Sequence, residues 1–280
     1  MSPTVLDLDV RPLSGTIGAE IRGLDLHRAL DADTVAAVRR AWLRYKVVFF
    51  PEAHLDPAEH LVFARNFGEP TPAHPLIPGI DGFPEIFEID YTAARRRTGT
   101  GPREYSLERG VAWHSDVTFS ERPPMGSILN AIEIPECGGD TMWSDQQAAY
   151  DGLSPLLKEF LAKLTAVHDA GGAFSAASDQ RPPPAEHPVV RTHPETGARV
   201  LFVNPTFTSH IKELAVAEGD ALLEFLYAHS VRPEYTVRYH WKPGDIGFWD
   251  NRCTQHAVAG DFGDRARRIQ RITLAGDRPA

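Results

Sequence analysis

The apolar residues of this chain recur with the helical period in a few segments. Residues 33–45 (DTVAAVRRAWLRY) place apolar side chains at helical spacing, and residues 155–164 and 216–229 also have a helical pattern. Residues 56–59 (DPAE) combine a capping acid, a proline at the first helical position and a second acid three residues after the cap. This combination predicts a helix start, with the helix ending near Gly68.

The remaining apolar segments are short and have the composition of strands. They cover residues 46–50, 85–90, 126–134, 187–192, 198–204, 233–240, 246–250 and 268–275. The 23 prolines and 22 glycines are spread along the chain, which favours short elements and long connections. The C-terminal half lacks the strand–helix alternation of a doubly wound fold. The pattern therefore predicts a mainly β protein, a sandwich or jelly roll, with a few helices packed outside.

Length and composition narrow the class of protein. The 280 residues contain no repeat or linker tract, and β-rich domains often reach roughly 200–250 residues, so we expect one domain, 1–280. No apolar run approaches the roughly 18–20 residues of a membrane span, and the N-terminus lacks a signal-peptide pattern. Two cysteines, Cys137 and Cys253, are too few for a disulfide scaffold. We therefore expect a cytoplasmic protein without a membrane partner.

The charge balance argues against nucleic acid as a partner. The chain has 29 lysines and arginines against 38 aspartates and glutamates, a formal net charge of −9. An acidic chain without a long basic block is a poor binder of nucleic acid. The one local exception, residues 95–97 (RRR), is interpreted either as a solvated loop or as a polyanion site, and the loop is the expectation.

Three His-x-acid pairs are present, and two of them have local explanations. In residues 54–56 (HLD) the acid is the cap of the predicted helix, and residues 193–195 (HPE) lead into Thr-Gly and indicate a hairpin turn. Residues 114–116 (HSD) lie instead among aromatic and β-branched residues typical of a strand, on which both side chains would share one face. This pair is either part of a metal site or a hydrogen-bonded pair that holds a loop.

The C-terminal segment favours the metal site. His256 follows a strand-like run at residues 245–249, and adding it to the His-x-Asp pair gives two histidines and one carboxylate, a ligand set that suits non-heme Fe(II). Arg267 and Arg271 lie four residues apart in a strand pattern, so both should face the same side. Inward guanidinium groups are unfavourable unless they meet anions. Cys253 is expected to be a small buried residue and not a ligand.

Seven motifs together resemble one family. They are residues 18–21 (GAEI), 46–50 (KVVFF), 113–119 (WHSDVTF), 138–141 (GGDT), 187–191 (HPVVR), 249–256 (WDNRCTQH) and the Arg-x-x-x-Arg pair at 267–271. On these motifs the chain resembles, over nearly its whole length, the taurine dioxygenase branch of the Fe(II)/2-oxoglutarate-dependent dioxygenases, which also includes alkylsulfatases. The resemblance implies a double-stranded β-helix, a jelly-roll core with helices outside, and a requirement for Fe(II), 2-oxoglutarate and O₂.

The resemblance also implies a role for individual residues. His114, Asp116 and His256 match the iron ligands. Thr141 and Arg267 match the residues that hold the far carboxylate of 2-oxoglutarate, as expected of a hydroxyl and a guanidinium fork. Arg271 matches the arginine that binds the sulfonate or sulfate of the substrate. The remaining residues assigned to the substrate pocket are His74, Ile77, Val117, Phe174 and Phe207.

Two departures from the taurine-specific pattern bear on the substrate. Ile77 stands where those enzymes carry tyrosine, and Gly110 stands where they carry asparagine, so two groups that could hydrogen-bond a small zwitterion are missing. We expect a small anionic substrate, an alkyl sulfonate or alkyl sulfate ester of several carbons, with taurine or a carboxylate as the alternative. The arginine-bearing segment 91–111 is expected to close over it as a lid.

Other interpretations stay open at this stage. A metallohydrolase would also use three protein ligands and an open metal position. A jelly-roll binding protein without catalytic activity would carry a similar strand pattern. Relatives are commonly dimers or tetramers, so the resemblance implies a homodimer or a homotetramer.

Overall fold

A computed structural model describes residues 8–72, 78–91, 112–170 and 182–280. Within these ranges the helices are α1 (Ala32–Tyr45), α2 (Pro57–Arg65), α3 (Gln146–Asp151), α4 (Pro155–Leu161) and α5 (Val216–Ser230), with a 3₁₀ turn at Pro233–Tyr235. No helix in these described ranges has the length and apolar character that crossing a bilayer requires.

The strands in the described ranges outnumber the helices. They are β1 (Asp9–Pro12), β2 (Ala19–Arg22), β3 (Val47–Phe50), β4 (Phe87–Asp90), β5 (Gly126–Glu133), β6 (Thr141–Asp145), β7 (Thr165–His168), β8 (Ala185–Pro188), β9 (Val190–Thr192), β10 (Arg199–Leu201), β11 (Thr208–Ile211), β12 (Thr236–Tyr239), β13 (Ile246–Asp250), β14 (Thr254–Val258) and β15 (Arg268–Leu274).

The strands form one large sheet and several small ones. The large sheet has the order β1-β2-β3-β13-β5-β15-β4 and is antiparallel except where β2 runs parallel to β3. Strand β6 lies between β12 and β14 in a three-stranded sheet. Strands β11, β7 and β8 form another sheet, and β9 and β10 pair as a hairpin. From β3 to β4, neighbouring strands of the large sheet are distant in sequence, as in a jelly roll.

A core of large side chains fills the space between the large sheet and the β12-β6-β14 sheet. The large sheet contributes Val47, Phe49, Leu129, Trp249 and Ile269, and the small sheet and the chain just after it contribute Trp143, Val237, Tyr239 and Trp241. Phe49 stacks on Tyr239 with ring centroids 3.8 Å apart. The two sheets therefore face each other, which confirms the mainly β, jelly-roll architecture predicted from the sequence.

Helices α1 and α2 cover the outer face of the large sheet. Because side chains alternate along a strand, Val48 and Phe50 point away from the inter-sheet core and join this outer cluster. Trp42 of α1 stacks on Phe248 of β13 with ring centroids 4.3 Å apart. Helix α2 begins at the predicted place: Asp56 accepts a hydrogen bond from the Glu59 amide at 2.8 Å in a capping box. It ends at Arg65, three residues before Gly68.

Candidate metal and anion site

Two histidines and an aspartate converge next to the inter-sheet core, where the Trp249 ring lies 4.8 Å from the His256 ring. His256 belongs to β14, and His114 pairs with it through two backbone hydrogen bonds of 3.0 and 2.7 Å. This isolated bridge brings Asp116 beside both rings. Asp116 Oδ1 lies 3.8 Å from His114 Nε2 and 3.9 Å from His256 Nε2, and one ligand atom from each residue lies within 4.8 Å of the others.

The segment around Asp116 is not the strand that its composition predicts, so this expectation was wrong. Only His114 forms a bridge, and residues 116–119 form a turn. Val117 has a φ of 54°, which is strained for a β-branched residue. The reason is that Asn251 holds the backbone of Asp116 from both sides: its Oδ1 accepts from the Asp116 amide at 2.6 Å and its Nδ2 donates to the Asp116 carbonyl at 2.9 Å.

Both oxygens of the Asp116 carboxylate have partners. Ser127 Oγ donates to Oδ2 at 2.7 Å, and Arg271 Nη1 donates to Oδ1 at 2.5 Å. Burial opposes ionisation of Asp116, but the nearby charges of Arg271 and the two histidines, with the hydrogen bond from Ser127, hold its pKa well below the usual range. The carboxylate is therefore anionic and fixed in position.

Both imidazoles are neutral, the state in which histidine binds a metal. Burial, with the nearby His114, lowers the pKa of His256 to about 3, and burial also lowers the pKa of His114. The Nδ1 of His114 lies 2.9 Å from the Ala112 carbonyl, so it carries the proton and leaves Nε2 as the metal-binding atom. Two Nε2 atoms and one carboxylate oxygen within 4.8 Å of one another fit Fe(II).

Arg267 is a buried cation whose partners are neutral. Its Nε donates to the Gly139 carbonyl at 2.9 Å and its Nη2 donates to Thr141 Oγ1 at 3.3 Å. Its Nη1 is buried and, within the ranges the structure describes, has no hydrogen-bond partner. Burial lowers the pKa of Arg267 from its ordinary value. No carboxylate in the described part of the chain is hydrogen-bonded to this guanidinium, and a carboxylate from a small molecule would fill that place.

The surroundings of Arg267 are shaped to hold its side chain. Gly139 has a φ of 72°, and a Cβ there would lie 3.1 Å from Arg267 Cδ, so glycine is needed at this position. The ring of Tyr91 lies 5.2 Å from the guanidinium carbon on another side. Trp241 Nε1 donates to Thr141 Oγ1 at 2.9 Å, which orients the hydroxyl.

Arg271 and Arg267 reach the same side of the large sheet, as predicted from their spacing. Ile269, two residues before Arg271 on β15, packs in the inter-sheet core, whereas Ile272 packs in the outer cluster. Arg271 reaches Asp116, and Arg267 reaches Thr141 on the facing sheet. The strand itself begins only at Arg268 and is irregular between Arg268 and Ile269.

An apolar cluster adjoins the histidines. Phe119, Ala170 and Phe207 are buried together, with Val117 packed against them. The Phe207 ring lies 5.9 Å from the His114 ring and 5.1 Å from the Phe119 ring. Of the other predicted pocket residues, His74, Ile77 and Phe174 lie outside the described residues, as do Gly110 and residues 92–111 of the expected lid.

Sequence reasoning missed two residues that hold the site, Ser127 and Asn251. Ser127 is fully buried near the start of the apolar strand β5, and a buried hydroxyl in such a strand is a signal that something polar lies opposite. Asn251 lies within a recognised motif, but its bonds to the Asp116 backbone and to the Pro124 carbonyl join segments more than 120 residues apart in sequence. Nothing in its local sequence indicates these partners.

A second cluster with metal-ligating atoms, His193, Asp250 and Cys253, does not fit a metal. The Asp250 carboxylate already accepts from Arg252 at 2.8 and 2.6 Å and from His193 Nε2 at 2.9 Å. Burial raises the pKa of the Cys253 thiol, so it stays protonated, as expected of a small buried residue. His193 follows strand β9 of the β9–β10 hairpin, which confirms the predicted turn at residues 193–197.

Comparison with known proteins extends the picture beyond the site. The family model described as "Taurine catabolism dioxygenase TauD, TfdA family" matches residues 9–273. An α-ketoglutarate-dependent sulfate ester dioxygenase of Pseudomonas putida is 39% identical over 294 residues, covering 99% of this chain and 93% of that protein. An alkylsulfatase of Acinetobacter baylyi is 39% identical over 286 residues, covering 96% of this chain and 86% of that protein.

The fold is similar to that of a solved structure as well. A crystal structure of a taurine dioxygenase from Burkholderia xenovorans is 41% identical and superposes with a TM-score of 0.83, covering 98% of this chain and 92% of that one. The similarity in sequence and in fold therefore spans nearly the whole chain.

Proposed function

The chain belongs to the taurine catabolism dioxygenase TauD, TfdA family, and on that premise we propose that it is an Fe(II)- and 2-oxoglutarate-dependent dioxygenase acting on an alkyl sulfate ester or alkyl sulfonate. His114, Asp116 and His256 would hold the iron through two neutral imidazoles and one anionic oxygen. The observation that carries the proposal is the buried Arg267, whose hydrogen-bond partners among the described residues are neutral, together with Arg271, which contacts Asp116 and keeps donors for an anion.

The proposed reaction follows from the chemistry of iron with O₂ and 2-oxoglutarate. Iron in such a site, with O₂ and 2-oxoglutarate, supplies an oxidant able to hydroxylate an unactivated C–H bond, while 2-oxoglutarate becomes succinate and CO₂. One oxygen atom enters succinate and the other enters the substrate as a hydroxyl. When the hydroxylated carbon carries the sulfate oxygen, the C–O bond to sulfate breaks, the hydroxyl loses its proton, and an aldehyde and sulfate leave. A sulfonate breaks its C–S bond and gives sulfite.

Arg267 and Thr141 would bind the far carboxylate of 2-oxoglutarate. Arg267 is fully buried, pairs with no carboxylate in the described part of the chain and keeps Nη1 available. A charge-assisted bond between a guanidinium and a carboxylate is about twice as strong as a neutral hydrogen bond. Thr141 adds a hydroxyl that Trp241 already orients.

Arg271 would bind the sulfate or sulfonate end of the substrate, and the cluster of Val117, Phe119, Ala170 and Phe207 would receive its alkyl chain. Each methylene of the substrate that is buried against this apolar cluster strengthens binding by about 0.8 kcal/mol. The same cluster offers no partner to the ammonium group of taurine, which would lose its hydration without compensation. The two relatives named for sulfate ester and alkylsulfatase activity support this substrate class.

A substrate panel tests the proposal. The protein is incubated with Fe(II), 2-oxoglutarate and O₂ and with hexyl sulfate, hexanesulfonate, taurine or hexanoate, and succinate and inorganic sulfate or sulfite are measured. We expect kcat/KM for hexyl sulfate or hexanesulfonate to exceed that for taurine by at least about tenfold, since a few buried methylenes supply that factor. A taurine preference of that size would contradict the apolar pocket, and activity on hexanoate alone would contradict the substrate class.

A further inference from the structure

Arg271 contacts the oxygen of Asp116 that the candidate metal site uses. Its Nη1 donates to Oδ1 at 2.5 Å, and Oδ1 is also the atom placed 3.8 and 3.9 Å from the two histidine Nε2 atoms. The other oxygen, Oδ2, is occupied by the Ser127 hydroxyl. A metal cation bound by the three ligands would therefore share one carboxylate oxygen with a guanidinium.

Arg271 still has hydrogen-bonding capacity for another partner. The side chain is 9% exposed, and its Nε is buried without a hydrogen-bond partner among the residues the structure describes. The Phe87 ring lies 5.5 Å from the guanidinium carbon and offers no charge. A guanidinium has five N–H donors, so one can remain on Asp116 while others bind an anion.

We propose that Arg271 couples the binding of an anionic substrate to the binding of the metal. The inference rests on the proposed function, because it takes the sulfate group of the substrate as the second partner of Arg271. When no anion is bound, a divalent metal at Asp116 Oδ1 and the Arg271 guanidinium share the single negative charge of Asp116, and two cations in a desolvated site repel each other. An anion on Arg271 compensates the guanidinium charge, so the metal binds more tightly. By reciprocity the metal strengthens anion binding by the same factor.

Metal titrations without 2-oxoglutarate test this coupling apart from turnover. Mn(II) is titrated into the protein and free Mn(II) is followed by electron paramagnetic resonance, with no anion, with hexyl sulfate and with inorganic sulfate. We expect either anion to lower the Mn(II) Kd of the wild type by about tenfold, within the usual range of coupling between sites. R271Q should bind Mn(II) more tightly than the wild type without anion, and its Kd should not respond to anions.

Two further variants test whether the effect depends on the positive charge at position 271. R271K changes the shape of the side chain but keeps the charge, and R268Q removes a charge elsewhere. R271K keeps a cation near Asp116, so its Mn(II) Kd without anion should stay near the wild-type value, unlike that of R271Q. R268Q is the matched control: Arg268 is 40% exposed and lies within 3.8 Å of Glu88 and Glu133, so its loss should leave the anion effect intact.

The outcomes distinguish this proposal from the proposed function. A wild-type Mn(II) Kd that neither anion changes would overturn the coupling, as would an anion effect of wild-type size in R271Q. Succinate formation with hexyl sulfate is measured separately in the same preparations. If the protein forms succinate but anions do not change its Mn(II) Kd, only the coupling is wrong. If inorganic sulfate lowers the Mn(II) Kd but no succinate ever forms, only the proposed function is wrong.

Discussion

At the scale of single residues, Asp116 is the group on which the site depends most. It is the anionic member of the ligand set, it compensates the buried charge of Arg271, and Asn251 and Ser127 fix its position. Its loss would leave two neutral imidazoles and a cation facing the same space. A divalent metal binds poorly to such an arrangement, since the carboxylate supplies the negative charge.

Asp116→Ala should therefore lose measurable Mn(II) binding and 2-oxoglutarate turnover. The fold should persist with reduced stability, because Arg271 loses its buried partner while the core between the sheets is apolar. Calorimetric Mn(II) titration and succinate formation at saturating Fe(II) provide the measurement, with circular dichroism as the check on folding. Wild-type turnover in this variant would show that Asp116 is not a metal ligand.

Arg267→Gln should raise the concentration of 2-oxoglutarate needed for binding by at least about thirtyfold. Truncating one partner of a buried charge pair costs about 2–5 kcal/mol, and about 2 kcal/mol corresponds to that factor. The binding curve is measured under anaerobic conditions from the absorption band of the Fe(II)–2-oxoglutarate chelate. Arg268→Gln is the control with the same loss of charge at a partly exposed position and should leave the curve unchanged. An unchanged 2-oxoglutarate binding curve for Arg267→Gln would mean that another residue binds the far carboxylate of 2-oxoglutarate.

At the scale of elements, a buried ionic cluster ties the β9–β10 hairpin to the end of strand β13. Asp250 at the end of β13 accepts from Arg252 and His193, and Arg252 also donates to Glu195 in the hairpin turn at 2.7 Å. Arg39 of α1 reaches the same Glu195 at 2.8 Å. The cluster therefore connects a helix, a hairpin and a strand of the large sheet just before the segment that carries His256.

Arg252→Gln should lower the free energy of unfolding by about 3–5 kcal/mol, because it leaves Asp250 as a buried charge without its main counterion. Urea denaturation measures the change. Arg232→Gln is the matched control, since Arg232 pairs with Glu234 on the surface, where both side chains are more than half exposed. An exposed pair contributes about 1 kcal/mol or less. Equal effects of the two substitutions would mean that the buried cluster does not stabilise the fold.

The same cluster predicts a dependence of stability on pH. Burial alone would raise the pKa of Asp250, but the charge and hydrogen bonds of Arg252, with the bond from His193, hold it well below its usual range. The stability it contributes is therefore present above its unfolded pKa of about 4 and is lost as the pH falls below that value. The difference in unfolding free energy between the wild type and Asp250→Asn should be constant from pH 6 to 7 and shrink below about pH 4. A difference that widens in acid would contradict this.

The elements also show how much the sequence reveals and why. Helices α1, α2, α4 and α5 and most strands of the large sheet follow from periodicity and capping, because their apolar faces are continuous. The sequence did not predict helix α3 or strands β1, β2, β6, β7, β11 and β14. Strand β14 (TQHAV) places polar Gln255 and His256 at buried positions, so its pattern resembles a loop. Strand β6 likewise places the polar residues Thr141 and Ser144 at buried positions.

Beside Asp116 the error was the opposite one: the sequence predicted a strand where the chain forms a turn. The aromatic and β-branched residues at 117–119 have the composition of a strand, yet the hydrogen bonds from Asn251 and the left-handed φ of Val117 turn the chain there. The turn at Asp116 and two of the missed strands, β6 and β14, carry residues of the candidate site. Local propensity fails where distant side chains determine the backbone, and no local sequence window contains those side chains.

At the scale of the whole molecule, the jelly roll brings together residues from the middle and from the C-terminal part of the chain. His256 and Thr141 come from the β12-β6-β14 sheet, Arg271 comes from strand β15 of the large sheet, and Asp116 comes from the turn at residues 116–119. The apolar layer between the sheets excludes water from the base of this arrangement. Charged groups in such a setting interact more strongly than on a surface, which suits the proposed binding of two anions and a metal.

The fate of hydrogen at the substrate carbon tests the central claim most directly. Hexyl sulfate carrying two deuterium atoms on C1 is incubated with the protein, Fe(II), 2-oxoglutarate and O₂, and the organic product is identified by mass spectrometry. An oxygenase attacks C1, so the account predicts hexanal that retains one deuterium, with one succinate and one sulfate formed per aldehyde. A metallohydrolase would leave C1 untouched. Hexanol that retains both deuterium atoms, formed without 2-oxoglutarate, would contradict the account.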